Sequence, residues 1–462
     1  MTADGLRACE DKMRAAEVPE VAIQTFRHYY QQLVAGASGL VPESEIEPLA
    51  SVPSWAELPP GDGAGAQELD RTVTIKLNGG LGTSMGMTRA KSLLVVKDGL
   101  TFLDVIARQT LALRRRHGAR LPLVLMNSFY TRDESLAALA RYPELESDVP
   151  MDFVQNKEPK VRVDDLLPVS WPADPELEWC PPGHGDVYTA LVTSGTLDAL
   201  LERGYRWAFI SNSDNLGAVP DPRILGWLAA ERIPFLMEVA ERAPADRKGG
   251  HLARLPDRRL VLREIAQTPE DDLDSFQDVE RHRYFNTNTL WLDLRALAEA
   301  LAQRGNVLGL PMIVNRKTVD PSDSSSPGVY QLETAMGTAV SVFEAARALH
   351  VPRERFAPVK TTNELLSLRS DCYELTDDWR VVLAPQRDGG PPFVDLDPAH
   401  YKLVRDFEAR FPFGPPSLVQ CRRLVVRGDV LFGAGVVARG EVELDHSGGG
   451  QMRIEDGAVL EG

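Results

Sequence analysis

Short apolar runs alternate with segments of helical periodicity along most of the chain. Residues 18–34 carry apolar side chains at helical spacing, with Pro19 suited to a first turn and Gly36 to a stop, so an amphipathic helix is predicted to open the chain. Further helices are predicted at residues 102–116 and 186–202. The apolar runs predict buried strands at residues 72–77, 121–126, 151–154, 207–211 and 234–239.

This alternation predicts an α/β fold with a mostly parallel sheet. Open sheets of this kind bind ligands beyond the carboxyl ends of their strands, so the polar residues that end the apolar runs become candidate ligand contacts. These polar ends are residues 78–80, 127–128 and 212–215.

The connecting segments carry weaker signals. Residues 53–65 are rich in proline and glycine and predict a linker, and residues 321–327 predict a surface loop. Residues 331–337 predict the start of a helix, in which Glu333 is either structural or supports a residue that contacts the ligand. From about Leu418 short β-branched runs are punctuated by glycine, which indicates a small β-solenoid without strict hexapeptide repeats.

Composition excludes several classes of protein. A chain of 462 residues with a net charge of −16 is expected to hold two or three domains and to lack a nucleic-acid-binding surface. No apolar segment has the length of a membrane span, and the scattered Cys9, Cys180, Cys372 and Cys421 are too few for a disulfide framework. We therefore expect a cytoplasmic protein without a membrane partner, in which any anionic substrate meets a locally positive pocket or a bound cation.

The most informative segment is the glycine-rich stretch after the first predicted strand. Glycines at positions 79, 80, 82 and 86 free the backbone to close on phosphate oxygens, and Lys91 could add positive charge. The spacing fits neither a P-loop nor a dinucleotide fingerprint. From glycine content alone, a hairpin or strand–helix turn without a ligand is an equally good interpretation.

Two further strand-end motifs could contact a nucleotide. In SNSDNLG, Asp214 is the candidate ligand for Mg²⁺, because a lone carboxylate beside phosphate oxygens is a common way to hold this ion. An Asx-turn explains Asp214 as well. In PPGHGD, Gly183 and His184 offer an N–H group and an imidazole before a helix that Asp186 could cap, although a surface turn is the simpler reading.

Several polar residues suit a phosphate or a hydroxyl-rich ligand. Lys248 stands before two glycines, and Lys360 precedes threonines that could cap a helix, yet each could equally be a solvated surface lysine. Glu264, Asn286 and Asn288 suit sugar hydroxyls, or they could belong to buried side-chain ladders.

Taken together, the motifs resemble the eukaryotic type of UTP–glucose-1-phosphate uridylyltransferase, also called UDP-glucose pyrophosphorylase. They follow the family's order over residues 72–375 and are KLNGGLGTSMG with Lys91, LMNSF, PPGHGD, SNSDNLG, MEVAERAPADRKGG, EIAQTP, FNTNTLWL, IVNRKTVD, QLETAMG and PVKTTNELL. The chain departs from the family in having Ala90 where proline is usual and Thr289 where asparagine is usual.

The resemblance implies a Rossmann-like nucleotidyltransferase domain with a mostly parallel mixed sheet and a short C-terminal β-helix. It implies a helical segment and linker at residues 1–70, a catalytic domain at 71–385 and a β-helix domain at 386–462. It also allows a homo-oligomer through the C-terminal domain without fixing the assembly state.

The resemblance assigns roles residue by residue. The nucleotide contacts it implies are Leu77, Asn78, Gly79, Gly80, Gln155, Gly183, Asn212, Ser213 and Asp214. The substrate contacts on the sugar side are His184, Lys248, Gly250, Glu264, Asn286 and Asn288. Lys91, Lys360 and Asp214 are the catalytic residues, and Asp214 is the ligand of the Mg²⁺ cofactor.

The expected reaction joins UTP and glucose 1-phosphate to give UDP-glucose and pyrophosphate. A sugar phosphate is already a competent nucleophile, so the protein needs to align two polyanions and neutralise charge on the α-phosphate. The alternatives are the same chemistry on another sugar, by a UDP-sugar or UDP-N-acetylhexosamine pyrophosphorylase, and a non-catalytic nucleotide-binding protein that retains the fold.

Overall fold

A large mixed sheet forms the centre of the computed structural model, which describes residues 2–60, 63–243 and 246–462. The helices in these residues are α1 Thr2–Ala15, α2 Glu20–Val34, α3 Ala64–Leu69, α4 Phe102–His117, α5 Arg132–Leu139, α6 Val187–Thr193, α7 Thr196–Glu202, α8 Pro222–Glu231, α9 Leu273–Gln277, α10 Leu294–Gln303, α11 Thr362–Arg369, α12 Pro398–Tyr401 and α13 Val404–Arg410.

The strands in the same residues form one large sheet and several small ones. They are β1 Glu47–Pro48, β2 Thr72–Asn78, β3 Val95–Lys97, β4 Leu100–Thr101, β5 Leu123–Asn127, β6 Asp152–Val154, β7 Glu158–Pro159, β8 Val161–Arg162, β9 Trp179–Cys180, β10 Trp207–Asn212, β11 Phe235–Glu241, β12 His251–Arg254, β13 Leu260–Arg263, β14 Tyr284–Asp293, β15 Met312–Thr318, β16 Gly328–Thr334, β17 Arg347–His350, β18 Tyr373–Leu375, β19 Val381–Leu383, β20 Phe393–Leu396, β21 Cys421–Phe432, β22 Val437–Ile454 and β23 Val459–Glu461.

The ten-stranded central sheet has the order β1-β12-β14-β10-β2-β5-β6, with β11 and β13 attached beside this path and β17 paired with β11. Strands β6, β5, β2 and β10 pair in parallel, whereas β14 runs antiparallel to its neighbours β10, β11 and β12. Because β11, β12 and β17 therefore point the same way as the parallel group, most strands share one direction. The prediction of an α/β fold with a mostly parallel mixed sheet is confirmed.

The five predicted strands and two of the predicted helices are present, with shifts of one or two residues at their ends. Two predictions about helices were wrong in part. The helix at residues 18–34 corresponds to α2, but α1 precedes it and so opens the chain. The single helix predicted at residues 186–202 is split into α6 and α7, because Gly195 takes the left-handed conformation with φ +70° between them.

Two connecting segments also differ from expectation. Residues 331–334 of QLETAMG belong to strand β16, and the helical turn begins only at Met336, so the predicted helix start was wrong for this segment. The expected linker at 53–65 contains a capped turn at Trp55–Glu57, and the Trp55 indole donates to Asp221 at 2.6 Å. Gly61 and Asp62 of this segment lie outside the described residues. The loop at residues 321–327 joins β15 to β16, as expected.

The C-terminal part contains a four-stranded sheet in the order β20-β21-β22-β23, with every pairing parallel. Its core is continuous with that of the central region. One cluster of buried apolar residues includes Met85 and Leu93 near the glycine loop together with Tyr401, Phe411 and Val426. The hypothetical Cβ of Gly86 would lie 3.1 Å from Leu403 Cδ2, so the loop touches the C-terminal part directly. No helix in the described residues is long and apolar enough to span a bilayer.

We expect Gly195→Ala to lower the free energy of unfolding by about 1 kcal/mol, because an alanine at positive φ is strained even in open space. The Cβ of this variant would meet no atom within 4 Å, so the effect isolates backbone conformation. The matched control is Gly390→Ala, which also enters open space but without a positive φ. Urea unfolding of both variants checks this, and equal stabilities would contradict it.

Candidate active site

The parallel strands bring their polar ends together at one edge of the sheet. Leu77 of β2 pairs with Asn212 of β10, and Asn78 pairs with Asn127 of β5, beside which β6 also ends. The polar residues at the ends of these three predicted strands therefore lie at one edge of the sheet. The Ser213 N–H donates to the Leu77 carbonyl at 3.2 Å, which carries this alignment into the SNSDNLG turn.

The glycine loop folds back over the end of β2. Gly82 and Gly86 have φ values of +67° and +73°, which explains glycine at both positions. The Lys91 N–H donates to the Gly80 carbonyl at 3.0 Å and closes the loop. The Gln155 side chain lies over Gly79, where a Cβ would come within 3.0 Å of Oε1.

Asn78 has its side chain committed to the protein interior. It is 2 % exposed, and its Nδ2 donates to Asn127 Oδ1 at 2.7 Å and to Ser135 Oγ at 2.8 Å. Its side-chain nitrogen therefore fixes the strand ends relative to each other.

Lys91 and Asp214 form an ion pair in which Nζ lies 2.6 Å from Oδ2. The other carboxylate oxygen, Oδ1, is buried and has no hydrogen-bond partner. Buried carboxylate oxygens are normally partnered, so this orphaned atom fits a role as a ligand for a hard cation. In the described ranges, no group of three or more His, Cys, Asp or Glu could hold a metal. Substrate phosphates and water would have to complete the coordination of Mg²⁺.

The segment that carries Lys360 is fastened to the same turn. The Val359 N–H donates to the Asp214 carbonyl at 3.2 Å. Asn215 adds two bonds, because its Oδ1 accepts from the Ala357 N–H at 3.1 Å and its Nδ2 donates to the Arg355 carbonyl at 3.1 Å. Lys360 itself is exposed, and Thr361 caps α11 directly after it, as the sequence predicted.

Buried charged residues fix the position of the segment that carries Lys360. Arg355 makes a two-pronged ion pair with the fully buried Glu238, with distances of 2.8 and 2.6 Å. Lys76 on β2 donates to Ser211 Oγ and to the Ala218 carbonyl, each at 2.8 Å. Burial lowers the pKa of the Lys76 ammonium to about 7, and the nearby Arg355 adds to the effect. These contacts hold β2, β10 and the Lys360 segment in one arrangement.

His184 is held in one orientation by a backbone contact. Its Nδ1 accepts from the Met336 N–H at 3.0 Å, and burial lowers the pKa of the imidazole to about 4. The ring is therefore neutral at pH 7 and carries its proton on Nε2, which can donate to a ligand. Gly183, with φ +79°, lets the loop approach β16, because a Cβ there would lie 2.5 Å from the Thr334 carbonyl oxygen.

The residues expected on the sugar side form a second group. Gly250 lies against Glu264, where a Cβ would come within 2.4 Å of Oε2, and the Gly250 carbonyl accepts from the Asn286 N–H at 2.9 Å. Asn286 Nδ2 donates to Asn288 Oδ1 at 2.8 Å, and Asn288 has a positive φ of 53° at a bulge in β14. Burial raises the pKa of the Glu264 carboxyl, and the nearby Lys360 ammonium opposes this.

Further contacts connect the sugar-side residues to the glycine loop, the Asp214 turn and the Lys360 segment, and together these parts form one ring of residues. A Cβ on Gly337, the residue after Met336, would lie 2.8 Å from Asn286 Nδ2, so the His184 anchor adjoins the asparagine pair. The ring then runs through Glu264 and Lys360 to the Asp214 turn and the glycine loop. Lys248 stands apart: it is exposed, and no hydrogen bond or ion pair in the described part of the chain joins it to the ring.

One part of the ring was missed by sequence reasoning. Asp186 occupies the predicted N-cap position of α6, but its side chain makes no capping hydrogen bond. Its carboxylate instead accepts from the backbone and side chain of Asn156, next to Gln155. The sequence signals were that Asn156 follows Gln155 and that Asp186 belongs to the PPGHGD motif, since no local pattern relates two segments 30 residues apart.

A mostly parallel α/β sheet whose strand ends carry a glycine loop, lysines and a carboxylate with an orphaned oxygen defines an enzyme class that handles nucleotide phosphates. The sequence model of the UTP--glucose-1-phosphate uridylyltransferase family matches residues 23–439. The chain therefore belongs to this family, and the resemblance identified in the sequence is confirmed.

Individual relatives agree with this assignment. The UTP--glucose-1-phosphate uridylyltransferase of Solanum tuberosum is 40% identical over 423 residues, which cover 91% of this chain and 84% of the relative. A Leishmania major UDP-glucose pyrophosphorylase variant solved in complex with UDP-glucose has a TM-score of 0.93 and 47% identity, with coverage of 99% of this chain and 98% of the other. A Trypanosoma brucei structure described as UDP-glucose phosphorylase has a TM-score of 0.91 and the same 47% identity.

We expect Gly80→Ala to leave the free energy of unfolding within about 0.5 kcal/mol of the parent, because its Cβ meets no protein atom within 4 Å. The same Cβ would occupy space next to the closed glycine loop, so nucleotide affinity should fall by about tenfold. Calorimetric titration with UTP measures the affinity, with Gly390→Ala as the control. Unchanged UTP binding would show that the loop backbone does not approach the nucleotide.

Proposed function

We propose that this chain transfers the uridylyl group of UTP to glucose 1-phosphate and releases UDP-glucose and pyrophosphate, the reaction that gives the family its name. One observation carries the proposal. Lys91 and the Lys360 segment both attach to the Asp214 turn, which keeps one carboxylate oxygen buried without a partner. This arrangement of lysines and an unpartnered carboxylate oxygen supports the proposal that two anionic substrates meet at the strand ends.

The reaction requires neutralised charge rather than a general base. The phosphate oxygen of glucose 1-phosphate attacks the α-phosphorus of UTP in line, the bond to the β-phosphate breaks, and pyrophosphate leaves with the electron pair. Lys91 pairs with the nucleotide phosphates, and Lys360 on its exposed segment bridges the sugar phosphate and the α-phosphate. The net charge of −16 makes this local positive charge necessary for bringing two polyanions together.

Nucleotide entry changes the partner of Lys91. Its ammonium donates to Asp214 Oδ2 at 2.6 Å. Phosphate oxygens can replace this carboxylate as the partner, which releases Asp214 for a cation that arrives with the nucleotide. Asp214 would hold Mg²⁺, and that ion would supply further positive charge at the α-phosphate.

The remaining residues orient the substrates. The backbone of Leu77 to Gly80 and Gly183, the side chain of Gln155 and the polar groups of Asn212 and Ser213 bind uridine and its phosphates. The His184 Nε2–H group donates a hydrogen bond to the sugar phosphate, since Nδ1 already accepts one from the Met336 N–H. Glu264, Asn286 and Asn288 contact the sugar hydroxyls, and Lys248 approaches the same ligand from its exposed loop.

Other aspects of the organisation stay predictions. We propose a helical segment and linker at 1–70, a catalytic domain at 71–385 and a β-helix domain at 386–462. The consecutive parallel pairing of β20 to β23 supports a short β-helix. The four buried free cysteines support a reducing cytoplasmic location. Self-association through the C-terminal domain is a further prediction.

We expect Asp214→Ala and Lys360→Ala each to lower kcat by about 10², because each removes a group that offsets charge in the transition state. The control is Arg405→Ala, which also removes one charge but from a side chain that is 85% exposed on α13. Pyrophosphate release gives the rates, and circular dichroism reports folding. If a folded Asp214 or Lys360 variant turns over like the parent, the role given to that residue is wrong.

The unmodified protein should release pyrophosphate from UTP and glucose 1-phosphate, stop when EDTA is added and resume with excess Mg²⁺. The same assay with galactose 1-phosphate and N-acetylglucosamine 1-phosphate tests the sugar. Higher turnover with either would indicate a UDP-sugar or a UDP-N-acetylhexosamine pyrophosphorylase. UTP binding without turnover on any of them would indicate a nucleotide-binding protein that lacks catalysis.

A further inference from the structure

Asp186 is a buried carboxylate that the reaction as described does not use. It is 4% exposed, and no ion pair joins it to a cation in the described residues. Its Oδ2 accepts from the Asn156 backbone N–H at 2.6 Å, and its Oδ1 accepts from Asn156 Nδ2 at 2.8 Å. Asn156 is fixed on its other side, where the Thr193 hydroxyl donates to Asn156 Oδ1 at 3.2 Å.

These bonds join the two nucleotide-facing segments of the ring. Gln155, directly before Asn156, has its side chain over Gly79 of the glycine loop. Asp186 ends the short helical turn His184–Asp186 that begins after Gly183. The Asp186–Asn156 contact therefore joins the Gln155 segment, which is expected to contact the base, to the loop at Gly183.

The environment of Asp186 opposes its negative charge. Burial raises the pKa of this carboxyl to about 7, although the two bonds from Asn156 favour the ionised form. Glu158 is buried nearby with its Oε1 unpartnered, and burial together with the nearby Asp186 raises the pKa of the Glu158 carboxyl as well. A neutral residue at position 186 would avoid the cost of burying a negative charge. The benefit of the carboxylate is therefore that its two oxygens hold Asn156 in place.

We propose that Asp186 is a positioning residue that holds the Gln155–Asn156 segment against the glycine loop and thereby sets the discrimination between uracil and cytosine. This inference rests on the proposed function, in which Gln155 contacts the base. The Gln155 amide offers one donor and one acceptor group, and uracil presents a donor N3–H and an acceptor O4 where cytosine presents an acceptor N3 and a donor amino group. A Gln155 amide held in one position favours uracil and penalises cytosine. If the segment can shift, both the preference for uracil and the penalty against cytosine become smaller.

The decisive variants are Asp186→Leu and Asp186→Asn. Leucine has the same branching at Cγ, with bulkier methyl groups in place of the oxygens, but it accepts no hydrogen bond, so the Asn156 N–H loses its partner. Asparagine still offers one oxygen to that N–H, and the Asn156 amide can turn over and donate to the Thr193 hydroxyl. The matched control is Glu158→Gln, which neutralises a neighbouring buried carboxylate that makes no bond to Asn156.

For Asp186→Leu we expect the KM for UTP to rise by about tenfold and the ratio of kcat/KM for UTP over CTP to fall by about tenfold. The KM for glucose 1-phosphate should stay within about twofold, because His184 has its own anchor at Met336. Asp186→Asn should restore most of the discrimination, and Glu158→Gln should keep all of it.

Unchanged UTP:CTP discrimination in a folded Asp186→Leu protein would overturn the proposal. So would equal losses with both substrates that follow the melting temperature, since these indicate a general loss of structure. If Asp186→Leu does not fold, Asn156→Ala removes one of the two bonds from the other side and should give a smaller shift in the same direction. Unchanged discrimination in that variant would be equally contrary.

Direct calorimetric binding of UTP and CTP separates this inference from the proposed reaction. A protein that prefers UTP without turnover would refute the reaction, and its Asp186 variants would still test the discrimination. A protein that binds UTP and CTP equally would refute the inference, whatever its turnover.

Discussion

The ion pair between Lys91 and Asp214 is the contact on which the arrangement of the site depends. It connects the glycine loop to the turn after β10, and the same turn carries the Lys360 segment through a backbone bond. Opposite charges at this distance stabilise each other in a partly buried place, where either alone would be costly. The pair thus holds the glycine loop and the Asp214 turn close together.

Close backbone approaches rather than large side chains shape the rest of the ring. At Gly183 and Gly250 a Cβ would collide with Thr334 or Glu264. The glycines of the family motifs therefore serve two different purposes. Some, such as Gly80, leave space that a ligand can fill, and others let two protein segments touch.

Sequence reasoning predicted the sheet and the strand-end location of the site because these follow from local patterns. The apolar run of β2, the capped start of α11 and the polar strand ends all act within a few residues. It misplaced features that are set by conformation or by distant partners. Gly195 splits a helix through a single left-handed residue, and the QLET segment becomes a strand because β15 pairs with it. Asp186 looked like a helix cap because its partner Asn156 is remote in the chain.

The roles of single side chains were harder to predict from the sequence than the region of the fold in which they lie. The pattern of the sequence could not tell that the Asn78 side chain is taken up by Asn127 and Ser135, or that His184 is neutral. Both properties arise from burial among segments that come together only in the folded chain.

The contact between Gly86 and Leu403 links evolutionary change in the two halves of the molecule. The apolar cluster beneath the glycine loop continues into the C-terminal sheet, so replacing one part by that of a distant relative would change the packing of the other. A chimaera joined near residue 385 would have to carry matched residues on both sides of this cluster. Natural variation at Leu403 should therefore be accompanied by compensating variation around Met85.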